Sequence, residues 1–421
     1  MRRRELLQLT GALSGAALLG ACGSSAGLSG RKVPIYGTVA TWAPGFVKAG
    51  KALKQVCGYD LNAIPAPNVG SYEQIVNSRL QTSRAPDVFK WWNGYRLQNT
   101  ARTNTIEDLT PVWQQFVDKK WVDPGIRDGL VYQDRVYGMP LTVSYYVVFY
   151  SKKIFAKYRL EPPETWDDLM RIAATLKKNG VTPFFSSQFG GWPALIWFQE
   201  FISKTDPAFY EQLTAGKASY NDPKAVSAMK LWAEMIGKGY FTKADVDMAN
   251  APALMHAGSV AMFPIGTWNN QAFQAVEMKP GVDYDAFLMP TIESGADPSI
   301  ITEVATLPVS QRAPDKDAAM TVMKNWLNPK VQAAWMSFLA DIPPNPQVPS
   351  TDPVIKNVIQ QVRERKPRLL IRYWEASPPP LIEGNVQDLG GFMIHPDDPE
   401  KILRKMQDRS DTEWDYWRSE T

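Results

Sequence analysis

Residues 86–95 read PDVFKWWNGY. Positions 87–90 have the apolar weight of a short strand, and Asn93-Gly94 is turn chemistry. The tryptophans Trp91 and Trp92 stand side by side where strand gives way to turn. Upstream the same rhythm occurs twice. Strands are predicted over 33–39 and 59–64 and helices over 46–56 and 71–81, the second opened by a Ser71-x-x-Gln74 capping box. Strand and helix in succession predict a parallel sheet covered by helices, the α/β class. Ligands in such sheets bind where strands end, so the doublet lies where a site is expected.

Downstream, 145–150 is an unbroken apolar run, read as a buried strand. Thr165 caps a helix reaching Lys178, and 222–237 is amphipathic, with Ala225, Met229, Trp232 and Ile236 on one face. Two further helices, 315–327 and 330–339, break at Asn328-Pro329. The 33 prolines concentrate in loops such as 342–346 and 377–380, which reads as stiff connections. There is no internal repeat.

The start of the chain has a different character. Arg2, Arg3 and Arg4 precede a small and apolar run over 9–21, shorter than the roughly 20 residues of a membrane-spanning helix. This is the layout of a secretory signal over 1–21. Leu19-Gly20-Ala21-Cys22 resembles a bacterial lipobox, implying lipidation of Cys22 and a lipidated tether over 22–31. Residues 3–7 resemble a twin-arginine export signal. The expected location is extracytoplasmic, held to the cell membrane through the lipid on Cys22. With a formal net charge of +3 over 421 residues, no strong attraction to nucleic acid is implied. Cys57 is the one other cysteine, so no internal disulfide framework exists in the mature chain.

The 15 tryptophans divide by position. Trp113, Trp121, Trp166, Trp232, Trp326 and Trp335 sit in helical patterns and read as core. Trp414 and Trp417 read as anchors of the C-terminal segment. Trp42, Trp91, Trp92, Trp192, Trp197, Trp268 and Trp374 fall where elements meet. A pyranose offers an apolar face of C–H groups that packs on indole, and a rim of hydroxyls that needs polar partners. Both kinds of group are interleaved here: Trp92 with Asn93, Thr267 and Trp268 with Asn269 and Asn270, and Trp374 with Glu375.

A set of motifs spread along the chain resembles the bacterial extracellular solute-binding proteins of the carbohydrate group, receptors of ABC importers. They include 85–89 (APDVF), 136–140 (VYGMP), 149–155 (FYSKKIF), 162–169 (PPETWDDL), 191–193 (GWP), 256–262 (HAGSVAM) and 266–268 (GTW). The resemblance implies a type II periplasmic-binding-protein fold. Its two α/β lobes would be residues 32–142 with 303–344 and 143–302 with 345–421, joined by crossings near 141–144, 298–302 and 343–346. It implies sugar stacking on Trp91 and Trp268, and a cleft wall with Tyr145, Tyr146 and Trp192. Trp42 contributes stacking, and Asp87 braces the turn behind Trp91. Asn93, Gly94 and Tyr95 replace a more charged cluster of the maltose binders, which argues against maltose. The implied partners are a sugar, read as an oligosaccharide, and ABC permease subunits, with a monomeric receptor, no cofactor, no metal and no catalytic residue.

Other functions are less well supported. A glycoside hydrolase needs two carboxylates about 5–10 Å apart; Glu303, Glu375 and Asp87 are candidates, but no motif arranges them. His256 and His395 are the only histidines, and neither has a metal-binding spacing. A glycerol phosphate receptor would need a fixed Lys or Arg in the cleft, for which Lys90 and Arg96 are candidates. A sensory sugar receptor shares all of these features.

Overall fold

The computed structural model describes residues 31–37 and 40–420. The signal segment, Cys22 and all of the tether except Arg31 lie outside the described residues.

The strand Arg31–Gly37 pairs in parallel with Tyr59–Pro65 on one side and with Val88–Phe89 on the other. The helix Ala43–Cys57 is the crossover between the first two strands. It buries Phe46, Ala49 and Leu53 and stops at Gly58, whose φ of 83° is the left-handed conformation that favours glycine. The next helix, Val69–Arg79, begins earlier than its sequence suggests. Asn68, not Ser71, is the N-cap, and its side chain accepts from the Ser71 N–H at 2.8 Å. Asn caps as well as Ser, and the extra turn seats Tyr72 on the core side, fully buried.

The larger sheet is built around Ser144–Ser151. This strand runs antiparallel to Val260–Gly266 on one side; on the other it meets Tyr284–Phe287 and, at its start, Ser299–Glu303. Thr182–Phe184 extends the sheet beyond Val260–Gly266, and Arg368–Ile371 extends it beyond Ser299–Glu303, both in parallel. Sheet and helices together form an α/β two-lobe fold.

Adjacent chain passages join the two sheets. Met139–Pro140 pairs with Thr306–Leu307, and bridges from Trp91 to Thr306 and from Val88 to Val309 tie this ribbon to the first sheet. Leu141 N–H donates to the Ala305 carbonyl at 2.7 Å, so the first two passages lie side by side. The second passage falls at 304–305, later than the expected 298–302, because Ser299–Glu303 is itself a strand of the larger sheet. The third is marked by a bridge from Val143 to Ile342 and by Ser144 Oγ donating to Asp341 Oδ2. Behind them, the indole N–H groups of Trp326 and Trp335 donate to the carbonyls of Pro140 and Leu141 at 3.0 and 3.1 Å.

Three helices expected downstream of residue 164 are present with their caps. Thr165 and Asp168 form a reciprocal capping box for Trp166–Lys178, Asp315 caps Lys316–Trp326, and Asn328 caps Pro329–Leu339. The last helix, Pro399–Glu420, sets Trp414 and Trp417 edge-on against Tyr95, each with ring centroids 5.3 Å apart.

Candidate functional site

A pocket of about 460 Å³ lies between the two sheets, lined by Trp42, Val69, Lys90, Trp92, Trp192, Trp268, Glu303, Arg372 and Trp374. Every one of these ends or follows a strand. Trp42, Val69 and the Lys90/Trp92 pair come after the three strands of the smaller sheet. Trp192, Trp268, Glu303 and the Arg372/Trp374 pair end or follow four strands of the larger one. The strand-end rule for α/β sheets thus operates from both sides of one gap.

The backbone at 90–92 is held rigidly. Lys90 N–H donates to the Tyr36 carbonyl, its own carbonyl accepts from the Tyr72 hydroxyl, and Trp91 exchanges two 2.8 Å hydrogen bonds with Thr306. Extended backbone sends successive side chains to opposite faces. Lys90 and Trp92 therefore enter the pocket, whereas Phe89 and Trp91 pack together in the core, 5.7 Å apart.

On the opposite wall, Trp268 folds back over Gly266, where a Cβ would meet the indole nitrogen at 2.4 Å. Its N–H donates to Glu303 Oε2 at 3.0 Å. The same oxygen pairs with Arg372 Nη1 at 2.8 Å. Arg372 also forks onto Glu375 and donates to the Tyr146 hydroxyl at 3.0 Å. Burial works against the Arg372 charge, yet Glu303 and Glu375 hold it well above its usual range. Trp374 is backed by Arg96, whose guanidinium carbon sits 3.7 Å from the ring centroid and whose Nε donates to the Trp374 carbonyl. Arg96 in turn pairs with Glu73 at 2.8 Å and Glu383 at 3.1 Å.

Lys90 differs from the two arginines. Its Nζ lies 3.8 Å from the Trp92 ring centroid and has no hydrogen-bond or ion-pair partner among the described residues. Burial pushes it down to about 7; Glu303, Glu375 and Glu73 act against that shift and Arg372 with it.

Five of the seven junction tryptophans meet in this pocket: Trp42, Trp92, Trp192, Trp268 and Trp374. Trp91 does not. It is 4% exposed, and its indole N–H donates to the Arg96 carbonyl within the core. Trp197 is a core residue of the helix Leu195–Thr205, donating to the Phe185 carbonyl. Asp87 is turned away from the pocket, accepting from the Asp315 N–H at 2.9 Å. Asn93 is buried with its Oδ1 unbonded among the described residues. Thr267 accepts from the Tyr145 N–H at 3.1 Å, so these two brace the turn that carries Trp268. Tyr146 and Glu375 sit behind Arg372 rather than on the pocket wall. Val69 and Arg372 had no signal in the sequence. Trp92 was expected here from its place at a strand end, whereas Lys90 was marked only as a cation that a phosphate ligand would need.

A family model described as bacterial extracellular solute-binding protein matches residues 41–333. An uncharacterised ABC transporter extracellular-binding protein of Pyrococcus horikoshii is 26% identical over 308 residues, covering 71% of this chain and 67% of that protein. The sn-glycerol-3-phosphate-binding periplasmic protein of Escherichia coli strain K12 is 27% identical over 194 residues, covering 41% of this chain and 42% of that protein. Among solved structures, the bacterial solute receptor AcbH, described as exclusively preferring β-D-galactopyranose, superposes with a TM-score of 0.82. It is 17% identical and covers 91% of this chain and 99% of its own. A chitin oligosaccharide binding protein superposes with a TM-score of 0.81 at 18% identity, covering 92% of this chain and 99% of its own.

Proposed function

We propose a function from this premise: the chain belongs to the bacterial extracellular solute-binding protein family. It is a sugar receptor of an ABC importer, binding a mono- or oligosaccharide in the cleft between its two lobes and passing it to permease subunits. The observation that carries this reading is the convergence of five tryptophans from both sheets on one pocket. Indoles on facing walls suit the two apolar faces of a pyranose, and Lys90, Glu303 and Arg372 suit its hydroxyl rim. Micromolar affinity corresponds to about 8 kcal/mol, within reach of several aromatic platforms and a few polar contacts.

Residues 32–142 with 305–342 form one lobe in this reading and 143–304 with 343–420 the other, the expected bounds shifted so that Ser299–Glu303 stays with its sheet. The lobes close on ligand about the passages at 141–143, 304–305 and 341–343, because the closed form alone presents both walls to the sugar. The receptor is extracytoplasmic and monomeric, anchored by lipid on Cys22; the lipobox-like 19–22 segment supports that part. Nothing in the site asks for bond chemistry, since its carboxylates Glu303 and Glu375 are both taken up by Arg372. A thermal-shift screen of the mature chain against neutral and acidic mono- and oligosaccharides tests the function. At least one sugar raises the melting temperature in a concentration-dependent way; a flat response to the whole panel contradicts the reading.

A further inference from the structure

Two cations line the cleft, and they stand in opposite situations. Arg372 spends its donors on Glu303, Glu375 and Tyr146. Lys90 spends none. It is 5% exposed, and its backbone is pinned on both sides. Its ammonium meets the face of Trp92 and no acceptor among the described residues. Both oxygens of Glu375 and Oε2 of Glu303 are turned toward Arg372. A buried ammonium without an acceptor is unfavourable, and an indole face offsets only part of that cost.

We propose that the ligand itself brings the acceptor, as an anionic group carried on a sugar (a carboxylate or a phosphate), and that Lys90 selects it. This rests on the sugar-receptor reading above. An ionised acceptor forms a charge-assisted hydrogen bond roughly twice as strong as a neutral one, and the low dielectric of the indole-lined cleft increases the difference. A neutral hydroxyl leaves the ammonium short of a counter-charge. The tryptophan walls hold the ring, and Lys90 reads the charge at its edge. Burial has already brought Lys90 down to about 7. An anion beside it restores the proton, so binding of the acidic ligand at pH 8 takes up protons from the buffer.

The test is calorimetry on the mature chain with matched pairs: galactose against galacturonate, glucose against glucuronate and glucose 6-phosphate, with sn-glycerol 3-phosphate as a phosphate lacking the ring. Parent and Lys90→Met are compared, in two buffers of different ionisation enthalpy. The expected result is an acidic member bound at least tenfold more tightly than its neutral counterpart, with proton uptake at pH 8. In Lys90→Met the preference falls below threefold while the melting temperature of the free protein is not lowered. Preference for uronate or for phosphate assigns the anion. Neutral sugars that bind as tightly as their acidic partners overturn the proposal and leave the sugar-receptor reading intact. A preference that survives Lys90→Met also overturns it. Silence from neutral and acidic members alike overturns the proposal, while the wider thermal-shift panel decides the sugar-receptor reading.

Discussion

Between Phe89 and Trp92, consecutive side chains leave the backbone on opposite faces, and that alternation separates two adjacent tryptophans into different roles. Trp91 packs against Phe89, Tyr72 and Trp92 in the core, with ring centroids 5.2–6.2 Å apart. Trp92 faces the pocket with Lys90. The sequence contained this distinction, since a period of two puts Lys90 and Trp92 on one face, but the family resemblance pointed to Trp91 instead. Arg372 with Glu303 was not legible, because a pair of residues distant in sequence becomes an ion pair only when two strands of the larger sheet are set side by side. Trp91→Ala removes a buried indole, and large-to-small changes of this kind cost about 3–5 kcal/mol. Chemical denaturation is expected to show that loss for Trp91→Ala and a smaller one for Trp92→Ala, which sits at the edge of a cavity.

At the scale of elements, the site is a set of strand ends, and each end has its own device for aiming a side chain. Gly266 leaves room for the Trp268 indole to fold back to Glu303. Asn68 starts a helix whose first residue, Val69, reaches the pocket. The Thr165 cap and the Asn328-Pro329 break were legible because each rests on local chemistry at fixed spacing, whereas the Ser71 box did not mark the helix start because Asn68 offered a competing cap. The passages between the lobes were legible only approximately, since they depend on which strands pair. One of them carries a titratable group: Asp341 is 1% exposed, and burial pushes its carboxyl up to about 7 despite Ser144 donating to it. The unfolded chain loses this proton near the usual carboxylate pH of about 4, whereas the folded chain keeps it until about 7. Folding therefore becomes less favourable as pH rises through that window, and the cost is complete above it. Asp341→Asn keeps an acceptor for Ser144 without the charge. Its melting temperature is expected to exceed the parent's at pH 8, by an amount equivalent to on the order of 1–3 kcal/mol, and the gain should vanish toward pH 4. A gain independent of pH would remove Asp341 ionisation as the cause.

For the whole molecule, the alternating pattern over 31–89 announced the smaller sheet, because in a parallel α/β unit each strand is followed by its own crossover helix. The larger sheet was harder to read. Its central strand, Ser144–Ser151, is recognisable as a buried apolar run, but its antiparallel neighbours come from 260–266 and 284–287, and an apolar run reports burial without naming its neighbour. Between the sheets, the pocket unites residues that no local pattern links. The central claim is that this pocket, with one wall on each lobe, is where the sugar binds. Isothermal titration of the best sugar from the thermal screen against Trp92→Ala, Trp268→Ala and Trp91→Phe tests it most directly, since the first two variants each remove one wall and the third alters only the core. The account predicts at least a tenfold loss of affinity for each of Trp92→Ala and Trp268→Ala, both still folded, and a change below threefold for Trp91→Phe. Parent-like affinity in both wall variants would contradict it.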